Sequence, residues 1–69
     1  MRNASFAARL KYYMLHSHVT VESLALETGY SETYIGRLRN GHQTNPTLSF
    51  VERAASVLGI SPATLAGWE

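Results

Sequence analysis

Apolar residues recur along this chain at three- and four-residue spacing, interrupted by hydroxyl residues and glycines, and that rhythm predicts helices. The clearest run is Leu48, Val51, Ala54, Ala55 and Leu58, which follows Thr47 as N-cap and stops at Gly59. Phe6, Leu10, Tyr13 and Met14 mark an earlier helix, which ends where His16, Ser17 and His18 break the pattern before Val19 opens the next packing unit. Between Thr20 and Gly41 lie two shorter helices. Thr20 caps the first, Leu24 and Ala25 start its apolar face, and Gly29 ends it in the left-handed conformation. Ser31 caps the second, whose inward positions are Ile35 and Leu38, with Gly41 as its stop. A loop, HQTNP, follows, and Ser61–Pro62 is an N-cap and first-turn pair for a short last helix holding Leu65. The predicted helices cover about 5–17, 20–28, 31–40, 47–58 and 62–67. No alternating run reads as a strand, and no repeat or linker divides residues 1–69. The fold class is therefore all-α, a single five-helix domain. Phe50 falls off the main stripe of its helix, so it is expected to be half exposed or to sit at an interface.

Size and chemistry narrow the picture. Sixty-nine residues support only a modest core, and with no cysteine neither a disulfide nor a thiolate metal site can supplement it. There is no signal-like apolar run and no stretch long enough to span a bilayer, so no membrane role is expected. The net charge is only +1. Its distribution says more: between Ser31 and Phe50 stand Arg37, Arg39 and His42 against Glu32 alone, while Glu22, Glu27, Glu52 and Glu69 fall outside. A basic patch on a nearly neutral chain suits a nucleic-acid reader that depends on fit as well as charge.

Two helices joined by a glycine-containing turn, the second exposing Glu32, Thr33, Tyr34, Arg37 and Arg39, have the layout of a helix-turn-helix DNA reader. With FAARLKYYMLHSHVT, TVESLALETGYS, ETYIGRLRNG and NPTLSFVERAASVLGISPATL in that order, the chain resembles the lambda-repressor-like, or XRE-type, helix-turn-helix regulators of phages and bacteria. The resemblance runs from Phe6 to about Leu65 and implies a compact five-helix domain whose third helix enters the major groove. There are departures. Family members commonly carry a phosphate-gripping glutamine after the threonine that opens helix two. Here that place is Val21, so the contact is absent or passes to Thr20. The family's arginine late in helix one and glutamate near the end of helix three are here Met14 and Arg39. Their joint change leaves no unpaired buried charge and frees Arg39 for the DNA backbone. Gly36, inside the third helix, costs about 1 kcal/mol relative to alanine, and a close approach to the second helix or to a phosphate would give it a reason.

On this reading Arg37 reads a guanine through O6 and N7, Glu32 accepts from cytosine N4 or serves the helix N-terminus, and Thr33 meets a thymine methyl. Tyr34 reaches the DNA or packs on its own domain. Backbone contacts are expected from Thr20, Ser31, Arg39, Asn40, His42, Gln43, Thr44 and Asn45, although Asn40 serves equally to permit a left-handed turn. His16 and His18 lie two apart, and with His42 they lack the spacing, cysteines and acidic neighbours of a metal site. No metal, cofactor or enzymatic activity is expected.

The expected partner is double-stranded operator DNA, bound in the bacterial or infected-host cytoplasm by a homodimer that is weak in solution and completes itself on DNA. Ile60, Leu65 and Trp68 are the expected interface, with Phe50 and the N-terminal arm next. With no attached sensor segment, regulation by simple occupancy is expected, as in Cro-like or immunity repressors. The alternatives are an antitoxin or protein-interaction module, for which residues after the fifth helix are few, and the DNA-binding piece of a larger repressor.

Overall fold

Each helix begins on a serine or threonine whose side-chain oxygen accepts a hydrogen bond from the backbone N–H three residues on. The pairs are Ser5 with Ala8 (3.2 Å), Thr20 with Ser23 (3.0 Å), Ser31 with Tyr34 (3.0 Å), Thr47 with Phe50 (3.0 Å) and Ser61 with Thr64 (3.1 Å). The computed structural model describes residues 5–68, and the N-terminal arm invoked above lies outside them. The helices are α1 (Phe6–His16), α2 (Val21–Thr28), α3 (Glu32–Arg39), α4 (Leu48–Leu58) and α5 (Pro62–Ala66), with no strand among the described residues. None is long and apolar enough to cross a membrane. Gly29 ends α2 at φ +81°, the left-handed geometry that glycine adopts without steric cost. Between α1 and α2 the same kind of turn is made without glycine: His18 takes φ +57°, and the Val19 N–H returns to the Met14 carbonyl at 2.9 Å.

Leu10 and Met14 of α1, Leu24 of α2, Ile35 and Leu38 of α3, five residues of α4 and Leu65 of α5 form the buried core. Two expectations change here. Phe50 is fully buried, because Tyr30 and Tyr34 bring their rings against it edge-on at 5.2 and 5.5 Å. Leu48 is 56% exposed, because at the first turn of α4 it meets an open groove rather than a neighbouring helix.

Long polar side chains join the helices. Arg9 of α1 donates from Nε to the Leu65 carbonyl (2.9 Å) and from Nη2 to the Ala66 carbonyl (2.7 Å), satisfying part-buried carbonyls at the C-terminal end of α5. Gly67 makes room for this clasp: at φ +78°, an added Cβ would stand 2.5 Å from the guanidinium carbon.

Thr47 serves more than its own helix. Its Oγ1 also pairs with the Tyr30 hydroxyl at 3.0 Å, and its backbone N–H donates to the Tyr34 hydroxyl at 3.2 Å. Thr47→Ala is expected to lower stability by about 1–2 kcal/mol in urea unfolding, in the range of a lost N-cap, whereas Thr47→Ser should recover most of it. Equal losses for the two variants would show that the hydroxyl is not what stabilises the junction.

Candidate nucleic-acid interface

The pose of α3 is set from three sides. Ile35 and Leu38 anchor it in the core. At the turn before it, the buried Thr28 donates from Oγ1 to the Leu24 carbonyl (2.8 Å) and accepts from the Tyr30 N–H (3.3 Å). Arg53, from α4, donates to the Thr28 carbonyl at 3.0 Å and so satisfies the end of α2. The third restraint is aromatic: Tyr30 and Tyr34 stack at 5.2 Å and both close on Phe50. Hydrogen bonding to Ser49 and then Thr47, with a smaller contribution from the Arg53 charge, holds the phenol of the half-buried Tyr30 below the usual tyrosine value.

Helical geometry divides the remaining positions. At about 100° per residue, Thr33 and Asn40 fall opposite Ile35 and Leu38, with Gly36 and Arg37 on either side of that outward line. Glu32, Thr33, Arg37 and Asn40 are all exposed. The structure thus gathers four of the expected contact residues on one solvent-facing side of a helix held firmly from behind. This side presents a carboxylate, a hydroxyl, an amide and a guanidinium, groups able to pair with base edges and phosphates.

The other expected positions divide. Tyr34 follows its domain-packing alternative: it is half-buried, and its hydroxyl accepts from Thr47. The Thr20 and Ser31 hydroxyls cap their own helices. Asn40 does not take the left-handed turn; that conformation belongs to Gly41, at φ +83°. The His42 and Gln43 N–H groups both donate to the Arg37 carbonyl, at 2.9 and 3.1 Å, so those amides are committed within the domain. Thr44 and Asn45 are exposed along the start of α1. Arg39 is half-buried and lines an open groove of about 620 Å³ with Lys11, Met14 and Val21, to the side of the outward face.

At the other end of the domain, Leu65 is fully buried and Ile60 half-buried against the core, because α1 and α4 both pack on α5. Leu65 is therefore core, a correction to its expected place at an interface. Trp68 is 64% exposed and shares a groove of about 460 Å³ with Phe6 and Leu48. Among the described residues, no three His, Cys, Asp or Glu side chains come together as metal ligands would. Sequence reasoning missed Thr28, Arg53 and Arg9. The Thr-Gly pair closing α2 was the available local signal for Thr28; the two arginines reach carbonyls far away in the chain, which no local pattern records.

Comparison with known proteins places this geometry. The helix-turn-helix family model matches residues 10–69. The transcriptional regulator SinR of Bacillus subtilis is 32% identical over 57 residues, covering 83% of this chain and 51% of SinR. SlrR of the same organism is 26% identical over 51 residues, covering 74% of this chain and 34% of SlrR. This chain thus spans about half, or less, of the length of these relatives. Among solved structures, SinR in complex with DNA superposes with a TM-score of 0.82 at 30% identity, covering 87% of this chain and 95% of that one. The restriction-modification controller protein C.AhdI of Aeromonas hydrophila gives 0.79 at 28%, covering 87% and 89%. The resemblance seen in the sequence is borne out, and the chain belongs to the XRE-type, lambda-repressor-like helix-turn-helix family of DNA-binding transcriptional regulators.

Proposed function

We propose that this protein recognises a specific operator in double-stranded DNA as a homodimer and regulates transcription in the bacterial cytoplasm by occupying that site, in the manner of Cro-like or immunity repressors. The observation that carries this reading is the outward side of α3, where Glu32, Thr33, Arg37 and Asn40 stand exposed on a helix anchored in the core by Ile35 and Leu38 and steadied at Tyr34 by Tyr30 and Phe50. Arg37 pairs with a guanine, Thr33 and Glu32 take neighbouring bases, and Asn40 with the His42–Asn45 side chains settles on phosphates. Arg39 contributes a more distant backbone charge. A solved SinR complex contains DNA, which supports this assignment of partner.

One recognition helix spans few base pairs, so two copies on a roughly palindromic site, their α3 helices about 34 Å apart, supply the selectivity. Trp68 is the exposed aromatic at the C-terminal end, with Ile60 beside the core and Leu48 across the groove, and aromatic anchors often carry much of an interface's energy. A second reading is that this chain takes a protein partner, as in an antitoxin or as one part of a longer repressor; its support is a solved complex that pairs SinR with SinI, where this chain covers 58% of the matched chain.

Selection of bound duplexes from a random library tests the main reading. A recovered site with two inverted half-sites is the expected result. Recovery of no preferred sequence, together with salt-sensitive binding to every duplex, would remove the operator assignment. Trp68→Ala is expected to reduce cooperative binding to the full site while leaving half-site affinity nearly intact. If both affinities and the melting temperature fall together, Trp68 belongs to the monomer and the interface lies elsewhere.

A further inference from the structure

Gly36 has no explanation within its own domain. Glycine inside a helix loses more backbone freedom on folding than any other residue, so it persists where conformation or a close neighbour requires it. Conformation does not require it here, since Gly36 is not among the glycines with positive φ. Nor does packing: a Cβ built at this position would have nothing within 4 Å, which removes the expected approach to α2. The open space lies beside the outward line of α3, with Glu32 one turn earlier, Asn40 one turn later and Arg37 across that line.

We propose that Gly36 is a specificity-determining position at which the bare backbone of α3 receives the C5-methyl group of a thymine. This rests on the DNA-binding reading above. Of the four bases, thymine alone projects an apolar group from its major-groove edge. A notch without a side chain admits that methyl and lets the helix settle deeper between the strands. An alanine there fills the notch from the helix side and holds α3 away from the base pair.

The experiment compares wild type and Gly36→Ala in thermal melting, in binding to the site selected by wild type, and in selection from one random library. Gly36→Ala should melt higher, by about 4–8 °C, because the helix gains a better helix former. The same variant should bind the wild-type site about tenfold more weakly and lose the preference for thymine at one position of each half-site. Replacing that thymine with deoxyuridine, which lacks the methyl, should recover much of the variant's affinity. A more stable variant that binds less well cannot be dismissed as misfolded. Unchanged affinity and selection would overturn the proposal while leaving the DNA-binding reading intact. An equal loss on every sequence would also overturn it, since a phosphate would then be the neighbour. A lowered melting temperature would assign the glycine to the fold. If wild type selects no duplex, the DNA-binding reading fails first and takes this inference with it.

Discussion

Phe50→Ala is expected to cost about 3–5 kcal/mol, the usual range for emptying a buried phenylalanine site. The ring is wholly buried and meets Tyr30 and Tyr34 edge-on, so truncation removes both its transfer free energy and two aromatic contacts. At roughly 0.05–0.15 kcal/mol per residue, a domain of this size holds only about 3–10 kcal/mol in total. The variant should therefore lose a large share of that stability. Its urea midpoint should fall far more than that of Leu48→Ala, whose side chain sits mostly in solvent. Loss of Phe50 also frees Tyr34, and with it one restraint on α3, so whatever fraction remains folded should bind DNA less well. Equal midpoints for Phe50→Ala and Leu48→Ala would contradict the burial described here and return Phe50 to the surface.

Arg37→Ala should lose about 1–3 kcal/mol of binding on the selected operator, the range for one bidentate arginine–guanine pair. The loss should be confined to sites carrying the preferred base at one position of each half-site. Arg37 is exposed and its carbonyl, not its side chain, ties down the following loop, so the melting temperature should hardly move. Measuring affinity on the operator and on a variant operator changed at that position separates the possibilities. A uniform loss on both, with a shallower salt dependence, would make Arg37 a phosphate contact. The base-reading role would then pass to Glu32 and Thr33.

These two variants separate the exposed contacts of α3 from the packing that steadies the helix. A test of Arg37 in isolation interrogates recognition. Phe50 interrogates the support that makes recognition reproducible, since a contact residue helps only when its helix returns to one position.

The starts and stops of the helices were legible in the chain because they are local. A serine or threonine oxygen reaches an N–H three residues on, a glycine takes positive φ, and both facts are complete within one turn. Part of the outward side was legible for the same reason: once Ile35 and Leu38 define the inside of α3, Glu32, Thr33 and Arg37 fall on its exposed side, whereas Tyr34 and Arg39, expected to be exposed with them, are half-buried. Burial is different, because it depends on which other element arrives at a given place. Phe50 and Leu48 lie two residues apart, yet Tyr30 and Tyr34 cover one while the other lines an open groove. Leu65 looked available for a partner until α1 and α4 were seen to enclose it. Tyr34 could pack or read, and only the nearness of Phe50 and Thr47 turned it inward. Spacing along the chain thus determined which helices form and which faces they carry; the tertiary packing decided which of those faces remained for a partner, because solvent is excluded only where two elements meet.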